Sequence, residues 1–150
     1  MSLYFEDLQV GLCWQTSGRT VSEAEILAFA AVYDPQPLHL DRPWAESGPF
    51  GGLIASGLHT LALAWSQWLL LGVLADSSRG GIGIDELRWT APVRPGDTLR
   101  SHVEVVDRST APRKGRGRVV FQHTVRNDRD EVVLTFRTLA LVAARPEPQA

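Results

Sequence analysis

Hydrophobic positions change their rhythm midway along the chain, and the change predicts where helices give way to strands. From Ser22 to Tyr33 the apolar residues Ile26, Phe29, Ala30 and Tyr33 recur at helical spacing. Ser22 followed by Glu25 adds a capping-box signature at the start of that helix. Asp34-Pro35 ends it, because a residue before proline is pushed out of the helical region. Asp34 to Asp41 holds two prolines and predicts a stiff, non-helical connection. A short helix follows around Pro43 to Glu46, with Asp41 placed to cap it, and Gly48-Pro49-Phe50-Gly51-Gly52 reads as a bending loop. A long apolar run then predicts a helix that begins between Leu53 and Gly57 and continues to about Ala75, roughly 30 Å in length.

The second half alternates instead. Ile82 to Thr90, Thr98 to Asp107, Arg118 to Arg126 and Val132 to Ala143 are rich in β-branched residues and predict strands. Val119, Phe121, His123 and Val125 share one face of the third of these, and Gln122, Thr124 and Arg126 the other. Pro92 to Asp97, Ser109 to Gly117 and Asn127 to Asp130 break the pattern as turns. With an early strand near Trp14 to Thr20, the parts are one long helix and about five antiparallel strands. A twisted sheet wrapped around a central helix is their economical packing, an α+β hotdog fold.

The apolar run changes the picture only if it crosses a membrane. It is about as long as a span, but it carries Ser56, His59, Thr60, Ser66 and Gln67, so a buried central helix is the better reading. The 150 residues fit one domain, with the Pro-rich end, Arg145 to Ala150, expected to fray. A net charge of -2 gives no reason to expect nucleic acid or an anionic membrane as partner. Cys13 is the sole cysteine and excludes an intrachain disulfide. Together with an N-terminus lacking signal-peptide features, it points to a reducing, cytoplasmic setting.

Candidate chemistry concentrates in Asp34-Pro35-Gln36-Pro37-Leu38-His39-Leu40-Asp41. A carboxylate and an imidazole sit a few residues apart on a segment stiffened by proline. Imidazole titrates near neutrality, whereas Asp34 would accept a proton there only if burial raised its pKa. An acid–base pair sharing a water is the chemistry this suits, with the two roles unassigned. Asp41 reads as a structural cap, and Ser56 as a cap for the long helix or a substrate contact. His59 belongs to core or interface, and His102 and His123 receive no role. The scattered histidines do not read as a metal site. Arg113, Lys114, Arg116 and Arg118 form a solvated loop by default, with the phosphates of coenzyme A as the alternative.

The same stretch resembles the MaoC-like dehydratase, or (R)-specific enoyl-CoA hydratase, family. That pattern is Asp-x-Asn-Pro-apolar-His-x-Asp, matched here by Asp34, Pro37, Leu38, His39 and Asp41, with Gln36 in place of Asn. Gly57 stands where the family has a glycine at the start of the central helix. Tyr4-Phe5-Glu6-Asp7-Leu8 and Val93-Arg94-Pro95-Gly96-Asp97 also look like family features. The resemblance implies a hydro-lyase that adds water reversibly to trans-2-enoyl thioesters, on coenzyme A or on an acyl carrier protein. It implies Asp34 and His39 as catalytic residues. The Gly57 N–H would serve as oxyanion donor, with Ser56 and Gln36 at the substrate. No cofactor is expected beyond the coenzyme A of the substrate, and two sheets are expected to pair as a homodimer. Two departures stand out: the longer reach of Gln36, and Trp65 where members often carry serine. Trp65 and Trp68 either shorten an acyl tunnel or are core. The rival readings are a hotdog thioesterase and a non-catalytic acyl-thioester-binding subunit.

Overall fold

A computed structural model describes residues 1–147. Helix α1, Glu23–Tyr33, starts where the capping box placed it. The Ser22 hydroxyl accepts from the Glu25 N–H, and the Glu25 carboxylate accepts from the Ser22 N–H. Asp34 ends the helix. The following connection differs from its expectation: Pro37–Leu40 form one helical turn, α2. Pro37 occupies the first helical position, where its missing N–H costs nothing and its fixed φ suits the helix. Helix α3, Arg42–Ser47, is capped by the Asp41 carboxylate, which accepts from the Trp44 N–H at 3.0 Å.

The central helix α4 runs from Gly57 to Leu70, about 21 Å, and so stops short of Ala75. Leu71 closes it, and Gly72 follows at φ +69, the left-handed conformation that ends many helices. One face of α4 is buried by Thr60, Leu63, Ala64, Gln67 and Trp68. Leu58, Trp65, Leu69 and Leu70 on the other side stay exposed, so the helix is buried on one flank rather than all round. Among the described residues no helix is long and apolar enough to cross a membrane.

Six strands make the sheet: β1 Cys13–Gln15, β2 Arg19–Thr20, β3 Ser78–Trp89, β4 Thr98–Arg108, β5 Arg116–Arg126 and β6 Val132–Ala143. They are antiparallel in the order β1-β4-β5-β6-β3, with β2 also paired to β4. The single early strand expected near Trp14 to Thr20 is thus two short pieces. Between them the Ser17 carbonyl turns to accept from the Gln67 side chain at 2.6 Å. Strand β5 has the predicted faces, with Val119, Phe121, His123 and Val125 wholly buried.

The core follows α4 in two groups. Ile26, Leu63, Leu99 and Phe136 pack around its first half, and Phe5, Trp68, Val103 and Phe121 around its second. The start of the tail is tied down rather than frayed: the Arg145 N–H donates to Glu6, and its guanidinium pairs with Asp7 at 2.6 Å. Residues 148–150 of that tail lie outside the described residues.

Gly117 on β5 gives a test of the packing. A Cβ there would overlap the Phe5 ring, and Phe5 is only 1% exposed and has little room to move. Gly117→Ala is expected to destabilise the fold by about 1–3 kcal/mol, read from urea unfolding. An unchanged midpoint would show that the Phe5 contact is soft.

Candidate active site

Three local structures bring the acid–base pair together. The end of α1 delivers Asp34, the turn α2 delivers His39, and the extended segment Leu53 to Ser56 delivers partners for both. That segment is held on each side, by the Ile54 N–H to the Leu38 carbonyl at 3.2 Å and the Ala55 N–H to the Val93 carbonyl at 2.8 Å. His39 is 4% exposed, and its Nδ1 lies 2.7 Å from the Ile54 carbonyl oxygen. A carbonyl only accepts, so Nδ1 carries the proton. The other ring nitrogen, Nε2, is therefore the one that faces Asp34, with its Oδ2 at 3.3 Å.

The Asp34 carboxylate is itself cradled. Ser56 Oγ donates to Oδ2 at 2.6 Å and Gln36 Nε2 donates to Oδ1 at 2.6 Å. These two hydrogen bonds hold the Asp34 pKa below the ordinary carboxylate value. Burial would have raised it, but the Asp34 side chain keeps 18% of its surface, so the donors win. The carboxylate is thus ionised at neutral pH.

Ser56 is the cap that was expected, with a second bond that was not. Its hydroxyl caps α4 by accepting from the Leu58 N–H at 3.2 Å, and it also donates to Asp34. Gln36 uses its longer reach on the same carboxylate. Gly57 opens α4, and among the described residues its N–H has no acceptor. The Gly57 carbonyl accepts from the Trp89 indole N–H at 2.8 Å, and a Cβ on Gly57 would overlap that indole. The absent side chain therefore makes room for Trp89. Phe50, Ile54, Leu58, Trp89 and Val93 complete a cleft of about 520 Å³ over Asp34, His39 and Gly57. Sequence reasoning missed Trp89; an aromatic closing a strand just before a Pro-containing turn was the available signal.

The remaining candidates lie apart. His59 stacks on Phe29 with centroids 4.7 Å apart. His123 is stacked on Phe136, and burial pushes its pKa down to about 3. Among the described residues no group of three or more His, Cys, Asp and Glu is placed to hold a metal. The basic run lines a separate groove at the β4–β5 turn, where Arg118 pairs with Asp107 at 2.9 Å. It lies at the opposite end of β5 from the cleft, an 11-residue strand roughly 35 Å long.

The lowered Asp34 pKa fixes the sign of a pH effect. Its contribution to stability is fully present above the unfolded value of about 3.9 and is lost as pH falls through the folded value. Ser56→Ala is expected to raise the Asp34 pKa, followed by carboxyl NMR titration, and to cost about 1 kcal/mol through the lost cap. An unmoved titration would show that Ser56 does not hold the carboxylate.

The MaoC like domain family matches residues 13–127. A 3-hydroxybutyryl-CoA dehydratase from Methylorubrum extorquens is 35% identical over 147 residues, covering 97% of this chain and 87% of the relative. The solved structure of a MaoC-like dehydratase from Rhodospirillum rubrum is 38% identical with a TM-score of 0.86, covering 97% of this chain and 100% of that one. A conserved Mycobacterium tuberculosis protein with a double hotdog fold is 26% identical with a TM-score of 0.80, covering 99% of this chain and 46% of that one. A hotdog domain whose cleft gathers Asp34, His39 and the start of the central helix therefore belongs to the MaoC-like dehydratase family.

Proposed function

We propose that this chain hydrates trans-2-enoyl thioesters, and dehydrates the 3-hydroxyacyl products, using a water that Asp34 and His39 bind together from the cleft side. The observation that carries the reading is the arrangement of His39 Nε2 and Asp34 Oδ2, 3.3 Å apart at a cleft that also contains the free Gly57 N–H. Asp34, with its pKa lowered, is a poor proton acceptor and a good orienter. With Nδ1–H committed to Ile54, the lone pair on Nε2 takes a proton from water as its oxygen bonds the β-carbon. The carboxylate then stabilises the imidazolium, which returns that proton to the α-carbon. One water is added across the double bond and the pair is regenerated. Charge on the thioester oxygen is met by the Gly57 N–H at the positive end of α4.

The thioester handle is read as coenzyme A, the carrier named for the Methylorubrum extorquens relative. Dehydration on an acyl carrier protein is the same chemistry on another handle. A cytoplasmic setting suits the exposed free thiol of Cys13.

A homodimer is part of the proposal. Among the described residues strand β3 ends the sheet with its outer edge unpaired over 12 residues, and Ile82, Ile84 and Trp89 on it are exposed. Leu58 and Leu69 of α4 are exposed too. Two copies paired antiparallel through β3 would close both edges about a two-fold axis. The double hotdog of the Mycobacterium tuberculosis protein supports the same association.

The test follows loss of enoyl-thioester absorbance on trans-2-enoyl-CoA. Wild type is expected to turn over, while Asp34→Asn and His39→Ala, both folded, lose at least about 100-fold in kcat/KM. Free thiol in place of a hydroxyacyl product would make the chain a thioesterase. Tight binding without turnover would make it a binding subunit. Light scattering is expected to give twice the chain mass, and a monomer at micromolar concentration would overturn the pairing.

A further inference from the structure

Strand β3 breaks the alternation of faces that strands keep, and it does so next to the cleft. Ile84 pairs with the buried Thr138 and so belongs to the helix side of the sheet. Regular alternation from Ile84 would turn Glu86 and Arg88 toward the helix, and Leu87 and Trp89 away from it. The register shows the reverse. Asp85 stands opposite Arg137 and Arg88 opposite Thr135, so two residues of β3 face one of β6, a β-bulge. Leu87 accordingly packs against the core, while Trp89 pairs with the buried Leu134 and reaches α4. Glu86 is carried to the outer face, where its carboxylate meets the Arg137 guanidinium at 3.3 Å.

The bulge is held in a conformation that its residue does not favour. Glu86 has φ +52, in the left-handed region where a side chain strains the backbone. Bulges beside a site serve to re-aim a side chain, and here the side chain is Trp89. Its indole lies against Gly57, where a Cβ would overlap it, and its N–H donates to the Gly57 carbonyl at 2.8 Å. Gly57 has no left-handed φ, so this contact and not the backbone requires the glycine. Ser56 fixes the other side of the same turn through its bonds to Asp34 and to the Leu58 N–H. Gly57 is therefore gripped from two directions.

We propose that Trp89 is a positioning residue: the bulge at Glu86 turns its indole onto Gly57, and that contact aims the Gly57 N–H at the thioester oxygen. The proposal rests on the thioester reading of the cleft. Trp89 acts through Gly57 and moves no proton. It therefore serves the charge that develops on the oxygen more than the binding of the rest of the substrate. The contact lies within one chain and does not depend on what covers the outer edge of β3.

The experiment uses Trp89→Phe, which keeps an aromatic ring and removes the indole N–H. It reads kinetics on trans-2-enoyl-CoA and, separately, calorimetric affinity for a saturated acyl-CoA and for its S-alkyl thioether, which lacks the carbonyl oxygen. Wild type is expected to prefer the acyl-CoA by roughly fivefold, and Trp89→Phe to bind both alike. In the variant kcat is expected to fall at least about tenfold while KM changes less than about twofold. Gly57→Ala displaces the indole, so adding it to Trp89→Phe is expected to cost less than the product of the two single effects. A wild-type kcat in Trp89→Phe, or an unchanged preference for the acyl-CoA, overturns the proposal. So does a loss carried by KM, which would make Trp89 a plain wall of the cleft, or a double variant whose costs multiply. If the wild type binds without turnover the hydratase reading falls, and the carbonyl preference and its loss in Trp89→Phe still decide the role of Trp89.

Discussion

The Ser56 hydroxyl is the junction on which the site depends. One oxygen accepts from the first turn of α4 and donates to Asp34, so the register of the central helix and the position of the acid are set together. Because Ser56 is wholly buried, water does not compete for either bond. The carboxylate consequently takes its orientation from the core, although it lies on a connection between helices. His39 is fixed by the same segment through the Ile54 carbonyl, two residues before Ser56. Four residues of extended chain therefore position the acid, the imidazole and the helix N-terminus as one unit, the preorganisation that acid–base catalysis requires.

The sheet and helix are unevenly covered, and that asymmetry explains much of the surface. Strand β5 has neighbours on both sides and contributes Phe121 and His123 to a sealed interior. Strand β3 has β6 on one side only, carries three glycines and is exposed along nearly its whole length. A layer missing from α4 and from β3 at the same place leaves both a cavity and an apolar margin. Leu58, Leu69 and Ile84 belong to both, so what covers the margin also closes the cavity.

Much of this was legible in the sequence where a local signal coincided with its tertiary use. The Ser22/Glu25 box, the Asp34-Pro35 stop, the Asp41 cap and the two faces of β5 all took their expected places. Pro37 misled because proline both stiffens loops and begins helices, and what decides is whether the next residues close a turn. The early end of α4 was marked by Gly72, but the apolar run continues through Val73 and Leu74, which pack as a turn against the core. The lowering of the Asp34 pKa was not legible for a different reason. Its donors, Ser56 and Gln36, lie 22 and two residues away, and the first becomes visible only after folding. Gly57 was singled out by the family resemblance, but its neighbour Trp89 is 32 residues distant and belongs to a strand that pattern alone does not align with the helix.

The clamp between Arg145 and the Glu6–Asp7 turn brings the two ends of the described chain together. Connectivity and architecture are thereby separable in this fold. A short linker joining those ends, with a new opening in the β4–β5 turn near Lys114, would keep every strand pairing of β1 to β6 and leave the Asp34 segment undisturbed. Such a circularly permuted chain would move the peptide termini to the basic groove, about the far length of the sheet from the chemistry.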